Sequence, residues 1–163
     1  MLTKVAKKSV KAGKRVNTKH VDSLIKNYKR ERWVQNSKNL GKEDSLSVWY
    51  SLEELMSFMQ TAKENGSDGI RLYFGVYDKE TAHDADFEGR QTIVLVATKQ
   101  KEVKGEIAHK EIYVNNDKGS SILAFNAGWI CPPKCGTFGD GDDDGGGIGI
   151  TILDKGEDGL CIV

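Results

Sequence analysis

An uninterrupted apolar segment, Thr92–Thr98, constrains the fold of this chain most. It reads Thr-Ile-Val-Leu-Val-Ala-Thr and is rich in β-branched residues. Such residues favour extended backbone, and a run without polar alternation leaves no face for water. We therefore predict a central strand that is covered on both faces. A chain of 163 residues can bury such a strand within one domain without disulfide or metal support.

Two segments carry the features of amphipathic helices. The first repeats apolar residues at the i, i+3, i+4, i+7 spacing of one helix face: Val21, Leu24, Ile25 and Tyr28. This spacing predicts a helix from about residue 18 to Val34. Ser51 and Glu54 form a capping box in front of a second apolar face, which predicts a helix over residues 52–64.

The remaining apolar stretches have the length and alternation of strands. They are Ser47–Tyr50, Gly69–Asp78, Glu111–Val114, Ser121–Phe125, residues 148–153 and Leu160–Val163. The polar segments 35–44, 79–91 and 99–110 predict loops. Because the helices come early and the strands late, we predict an α+β domain over residues 18–163, with two N-terminal helices packed on a mainly antiparallel five- or six-stranded sheet. Residues 1–17 are predicted to form a basic flexible tail.

The net charge of zero hides a strong asymmetry along the chain. Residues 1–32 hold eleven Lys or Arg against two Asp or Glu, a net charge of +9, and the rest of the chain carries −9. A basic arm of this kind could bind nucleic acid through its phosphates, without sequence preference and with strong salt sensitivity. The alternative, which we favour, is a solvated terminus.

Membrane and secretion signals are missing from the sequence as it stands. No stretch reaches the roughly 20 apolar residues of a membrane helix, and the first residues lack the apolar core of a secretion signal. Three cysteines do not suit a disulfide-rich secreted scaffold. We therefore expect a cytoplasmic protein with no membrane partner.

One face of the predicted strand at 69–78 has the chemistry of an anion site. Arg71, Tyr73 and Tyr77 alternate along it, and Arg90 lies just before the central strand. Two guanidinium groups beside phenols predict a ligand-binding pocket for a carboxylate or a phosphate. The alternative, which we favour, is that the helix over 52–64 covers this face and places the tyrosines in the core.

Cys131 and Cys135 are separated by a stiff Pro132-Pro133 pair and a lysine. Zinc would need four ligands, so Cys161, His83 or His109 would have to complete the set. A redox pair usually has two intervening residues rather than three. The spacing therefore favours two reduced thiols in a rigid turn, and zinc at Cys131 and Cys135 remains a weaker hypothesis. No other cofactor is indicated.

An acidic, glycine-rich segment follows the cysteines. Asp140, Asp142, Asp144 and Gly145 match the first half of a calcium-binding loop. The twelfth position, which should be a bidentate glutamate, is Thr151. The pattern therefore favours a solvated loop over a calcium site.

Several stretches, taken in order, resemble a known family. They are Ser47–Ser51 (SVWYS), Asp68–Phe74 (DGIRLYF), Gly89–Val96 (GRQTIVLV) and Cys131–Cys135 (CPPKC). This order is similar to that of an uncharacterised family of small bacterial proteins, over most of residues 16–163. The resemblance implies a bacterial, cytoplasmic protein, and it carries over no catalytic residue because the family has no assigned activity.

The sequence offers no pair of side chains that could serve as acid and base or as nucleophile and base. It favours a non-catalytic binding or accessory module for a protein or a small anionic ligand, and it leaves open whether the protein is an enzyme. One alternative is a metal- or thiol-dependent enzyme that uses Cys131 and Cys135. Another is a non-specific nucleic-acid binder that uses residues 1–32.

Overall fold

The computed structural model describes residues 10–135 together with the backbone of two later strands, at 152–154 and 160–162. A long N-terminal helical segment is followed by a second helix and by antiparallel strands. The predicted α+β class is therefore confirmed, whereas the end of the first helix and the arrangement of the sheet differ from the prediction. The calcium-loop hypothesis at Asp140, Asp142 and Asp144 lies outside the described residues, as do residues 148–151 of a predicted strand.

The N-terminal helical segment is longer than predicted. It comprises α1 (Thr18–Tyr28), a π-helical turn (Lys29–Trp33) and α2 (Val34–Leu40), without interruption. The Asn17 side chain caps its start by accepting a hydrogen bond from the His20 N–H, at 3.0 Å. The segment ends at Gly41, whose φ of 73° is left-handed.

The predicted loop over 35–44 was therefore wrong over its first half. Polar residues occur in helices when they bond to one another one turn apart, and the Gln35 amide donates to Asn39 Oδ1 at 2.8 Å. Polarity alone could not distinguish this last helical turn from a loop.

The second helix, α3 (Leu52–Glu64), has the predicted boundaries. The Ser51 hydroxyl accepts from the Glu54 N–H at 3.1 Å, and the Glu54 carboxylate accepts from the Ser51 N–H at 2.9 Å. This reciprocal pair satisfies backbone donors that the first helical turn leaves open. Phe58 and Ala62 are the buried residues of the helix.

The main sheet is built around one long strand, β3 (Gln91–Val103). Along one side it pairs antiparallel with β2 (Gly69–Val76), over Gln91–Thr98. Its other side is shared by β7 (Ala124–Phe125) and β4 (Glu106–Glu111). The predicted charged connection over 99–110 was wrong, because β3 continues into a hairpin with β4. Charged side chains suit such an exposed ribbon, and its turn uses Lys104 and Gly105, both at positive φ.

The other strands form three separate two-stranded ladders. β1 (Ser47–Trp49) pairs with β8 (Trp129–Cys131), β5 (Tyr113–Asn116) with β6 (Gly119–Ile122), and β9 (Ile152–Asp154) with β10 (Leu160–Ile162). The hairpin of β5 and β6 turns between Asn116 and Gly119. The prediction of one sheet of five or six strands is replaced by a four-stranded sheet and these ladders.

Two apolar clusters form the core of the part of the chain that the structure describes. In the first, Phe58 and Ala62 of α3 pack against Leu95 and Ala97 of β3. The second joins Tyr77, Phe87 and Ile130. Leu95, Val96 and Ala97 are all buried, which confirms the prediction of a central strand covered on both faces.

A buried polar group connects the N-terminal helical segment to β3. The Trp33 indole donates to the backbone carbonyl of Asp44 at 2.6 Å. The Asp44 carboxylate accepts from the Asn36 amide at 3.1 Å and from the Gln91 N–H at 2.7 Å. Because these bonds satisfy a carboxylate that is almost fully buried, Asp44 fixes the helix against the start of the central strand.

Substitution of Phe87 tests the second cluster. Phe87 is 0% exposed, and Phe87→Ala should lower the free energy of unfolding by about 3–5 kcal/mol, because it removes a ring from a packed site. Tyr113→Ala is the control. Because Tyr113 is 64% exposed, this variant should change the free energy of unfolding by less than about 0.5 kcal/mol. Urea unfolding measures both values, and equal losses in the two variants would contradict the assigned core.

Candidate functional site

Two of the predicted anion-binding residues lie together on the outer face of the sheet. Arg71 on β2 donates to the Glu111 carboxylate at 2.7 Å and to the His109 carbonyl at 3.0 Å. The Tyr73 hydroxyl donates to the same Glu111 oxygen at 2.6 Å. Since β2 and β4 flank β3, this cluster crosses the central strand. The guanidinium already has an internal carboxylate partner.

The charges in this cluster act on one another. The hydrogen bond from Tyr73 lowers the pKa of Glu111, and the positive charge of Arg71 lowers it further. The same contacts, led by the hydrogen bond with Tyr73, raise the pKa of Arg71. The pair is therefore ionised around neutral pH, as an exposed ion pair rather than an empty anion site.

The other two predicted site residues lie elsewhere. Tyr77 is buried against Phe87 and donates its hydroxyl hydrogen to Asn126 Oδ1 at 3.0 Å. Arg90 is also buried, and its guanidinium donates to the backbone carbonyls of Asp86, at 2.7 Å, and Glu43. Arg71 and Tyr73 thus form one cluster, whereas Tyr77 and Arg90 connect loops to the fold.

The alternative interpretation of these residues was also partly wrong. The helix at Leu52–Glu64 covers the opposite face of the sheet, because Phe58 and Ala62 pack near Ile70 rather than near the tyrosines. Tyr73 consequently stays exposed. Tyr77 does belong to the core, but it is covered by the second cluster and not by the helix.

The cysteine pair forms a disulfide between Cys131 and Cys135. The expectation of two reduced thiols is therefore corrected, and in this state neither sulfur can act as a thiolate ligand for zinc. Among residues 10–135, no group of three or more His, Cys, Asp or Glu is arranged to hold a metal ion. Lys134 within the loop pairs with Asp84 at 2.9 Å, which joins the disulfide loop to the second cluster.

The basic N-terminal segment is described from residue 10 onward. Lys11, Lys14 and Arg15 precede α1 and are exposed, whereas Lys26 pairs with Asp22 at 2.8 Å and Arg30 with Glu31 at 2.7 Å. Within the described part of the chain, no helix has the length and apolar character needed to cross a membrane.

The largest feature that the sequence analysis missed is an exposed apolar surface. Six apolar side chains from α3 and β2 are 48% to 81% exposed, and we call them the apolar edge surface: Leu52, Met56, Met59, Leu72, Phe74 and Val76. A large exposed apolar patch on a protein surface often marks an interaction site.

Helix periodicity places the exposed apolar residues of α3 on the side of the helix that is directed toward β2. Glu54, Ser57 and Thr61 line a shallow groove with Phe125 of β7, so this side of α3 is directed toward β7. The three exposed apolar residues of α3 lie on the opposite side of the helix, by the periodicity of 3.6 residues per turn. β2 lies across β3 from β7. The apolar stripe of α3 is therefore directed toward β2.

The backbone of β2 is paired along one side only within the described residues. The strand stands at the end of the order β2-β3-β4. Tyr77 donates its N–H to the Arg90 carbonyl, on the β3 side. Because backbone direction alternates along an antiparallel strand, Arg71, Tyr73 and Gly75 face β3, and Leu72 and Phe74 direct their N–H and C=O groups toward the open edge.

The sequence did carry a signal for this surface. The apolar alternation of Ile70, Leu72, Phe74 and Val76 was evident, as was the apolar arc of α3. That arc is wider than the stripe that a single sheet contact covers, which is consistent with the exposure of Leu52, Met56 and Met59. What the sequence did not reveal is which strand would stand at the edge.

Comparisons with protein-family models, with curated proteins and with solved structures found no match to this chain. The function is therefore inferred from the geometry of the chain itself.

Substitution of Tyr73 tests the polar cluster. Tyr73→Phe removes the strongest hydrogen bond to the Glu111 carboxylate, so the pKa of Glu111 should rise toward its ordinary value. Because that pKa is depressed in the folded state, the stabilisation is present above the ordinary value and is lost as the pH falls through the folded pKa. Carboxyl-detected NMR titration measures this shift. Tyr113→Phe is the control, and an unchanged Glu111 pKa in Tyr73→Phe would contradict the assigned contact.

Thiol counting tests the disulfide. Unfolded, unreduced protein should react with an alkylating reagent at one cysteine, Cys161, and at all three cysteines after reduction. Mass spectrometry of the labelled peptides identifies the sites. Labelling of Cys131 and Cys135 without reduction, together with stoichiometric zinc in the native protein, would contradict the disulfide and favour the metal hypothesis.

Proposed function

We propose that this protein is a non-catalytic binding module that takes up an extended, apolar segment of polypeptide along β2. The observation that supports this most is the apolar edge surface beside the open side of β2. Backbone hydrogen bonds to an edge strand supply affinity, and side-chain contacts on alternate residues supply selectivity. The bound segment would extend the four-stranded sheet by one strand.

Residues of β2 and of α3 would contact different parts of the bound segment. Phe74, 81% exposed, and Leu72 would contact alternate side chains of the added strand, because they lie on the same face of the sheet. Met56 and Met59 on α3 would contact the added strand on the face of the sheet that α3 covers. Methionine is unbranched and polarisable, so it adapts to ligands of different shape.

The polar residues support a polypeptide partner over a small anionic ligand. Arg71 is paired with Glu111, and Arg90 donates to backbone carbonyls, so an anion would have to displace bonds that already exist. The thiol- or metal-dependent alternative has less support, since it would first require reduction of the disulfide between Cys131 and Cys135.

Selection from a random peptide library tests the proposed function without knowledge of the partner. Immobilised protein should enrich peptides with alternating apolar residues, and Phe74→Glu should weaken their binding at least about tenfold, because it places a charge in the contact. Isothermal titration calorimetry with synthetic peptides measures the loss. Ile107→Glu is the matched control, because Ile107 is 67% exposed but lies on β4.

Enriched peptides that bind the wild-type protein and Phe74→Glu equally would contradict the proposal. Failure to enrich any peptide, at a protein concentration at which the chain is monomeric, would also contradict it.

A further inference from the structure

We propose that a second copy of this chain occupies the apolar edge surface, with the two β2 strands paired antiparallel about a two-fold axis. This inference rests on the proposed function, because it uses the same edge and names its partner. The two four-stranded sheets would then form one continuous sheet. The contact is isologous, so each copy offers the same residues to the other.

The open edge of β2 limits which registers are available. Leu72 and Phe74 direct their backbone groups outward, so they must pair with outward-directed residues of the second copy. A two-fold axis through Tyr73 meets this condition. Leu72 then lies opposite Phe74 of the second copy, and Ile70 lies opposite Val76. All these apolar side chains share the face of the sheet that α3 covers in each copy.

The position of Arg71 is compatible with this register. Arg71, the one charged residue of β2, falls opposite Gly75 of the second copy, so the two guanidinium groups do not meet and glycine leaves room for each of them. Asp68 and Asp78 come opposite each other at the two ends. Each carboxylate is held by bonds in its own copy, to the Gln100 N–H at 2.9 Å and to the Thr81 N–H at 2.8 Å, and the Asp68 bond turns that carboxylate toward β3.

The exposed area matches what a stable dimer requires. A fully exposed large apolar side chain has a surface on the order of 150–250 Å². The exposed fractions of 48% to 81% in the six residues therefore leave on the order of 700 Å² in the apolar edge surface. A standard protein–protein interface buries about 800 Å² per partner, and its centre is apolar. A second copy offers both its β2 and its α3, so it would contact both halves of the apolar edge surface.

Sedimentation velocity over a concentration series tests the association. The wild-type protein and Ile107→Glu should sediment as dimers that dissociate on dilution. Phe74→Glu should raise the dimer dissociation constant at least about a hundredfold, because a charge enters the apolar centre from both copies. Circular dichroism verifies that each variant is folded. A wild-type protein that stays monomeric at high concentration, or Phe74→Glu that dimerises like the wild type, overturns the inference.

Cysteine cross-linking tests the register. In a Cys161→Ser background, Tyr73→Cys should form a covalent dimer on oxidation, because residues at the axis form a non-hydrogen-bonded pair with Cα atoms about 4.5 Å apart, within disulfide reach. Gly75→Cys is the control, because its two copies would lie roughly 13 Å apart along the strands. A non-reducing gel gives the result. Equal cross-linking of both variants, or of neither, overturns the register.

The two proposals fail in different ways. A monomeric protein that still binds selected peptides through Phe74 retains the proposed function and excludes the second copy as occupant. A dimer that is insensitive to Phe74→Glu, in a protein that also binds no peptide, excludes both.

Discussion

A β-strand can form backbone hydrogen bonds with a neighbour on each of its two sides. This limit determines which strand of the main sheet has an open edge. Both sides of β3 are used, by β2 on one side and by β7 and β4 on the other. Burial of Leu95, Val96 and Ala97 fixes this arrangement, because a shift of one residue would exchange the two faces of the strand. Among the described strands, β2 is therefore paired along one side only. The open edge is thus a consequence of how the core is formed.

The charged side chains of Asp44, Arg90 and Arg71 form hydrogen bonds within the chain and so stabilise the fold. The Asp44 carboxylate fixes the helical segment to β3, and Arg90 connects two loops through backbone carbonyls. Arg71 is neutralised by Glu111 across the sheet. Among the residues that the structure describes, these polar groups are engaged internally, whereas the apolar edge surface is exposed. This contrast supports the proposed binding role.

Elements that are determined by residues close together in the chain could be predicted from the sequence. The capping box at Ser51 and Glu54 fixed the bounds of α3, and the β-branched run at Thr92–Thr98 identified the central strand. Sequence analysis failed where polarity was the only guide, as in the last turn of the N-terminal helical segment and in the hairpin of β3 and β4. It also could not place Tyr77 and Arg90, because their partners, Asn126 and Glu43, are distant in sequence.

Amide hydrogen exchange along β2 shows whether this edge is open, provided that the protein is dilute enough to be monomeric. We expect the exchange rates to alternate, with slow exchange at Arg71, Tyr73 and Gly75, whose N–H groups face β3, and fast exchange at Leu72 and Phe74. Slow exchange at all five amides would mean that another part of the same chain covers this edge, and β2 would then have no open side.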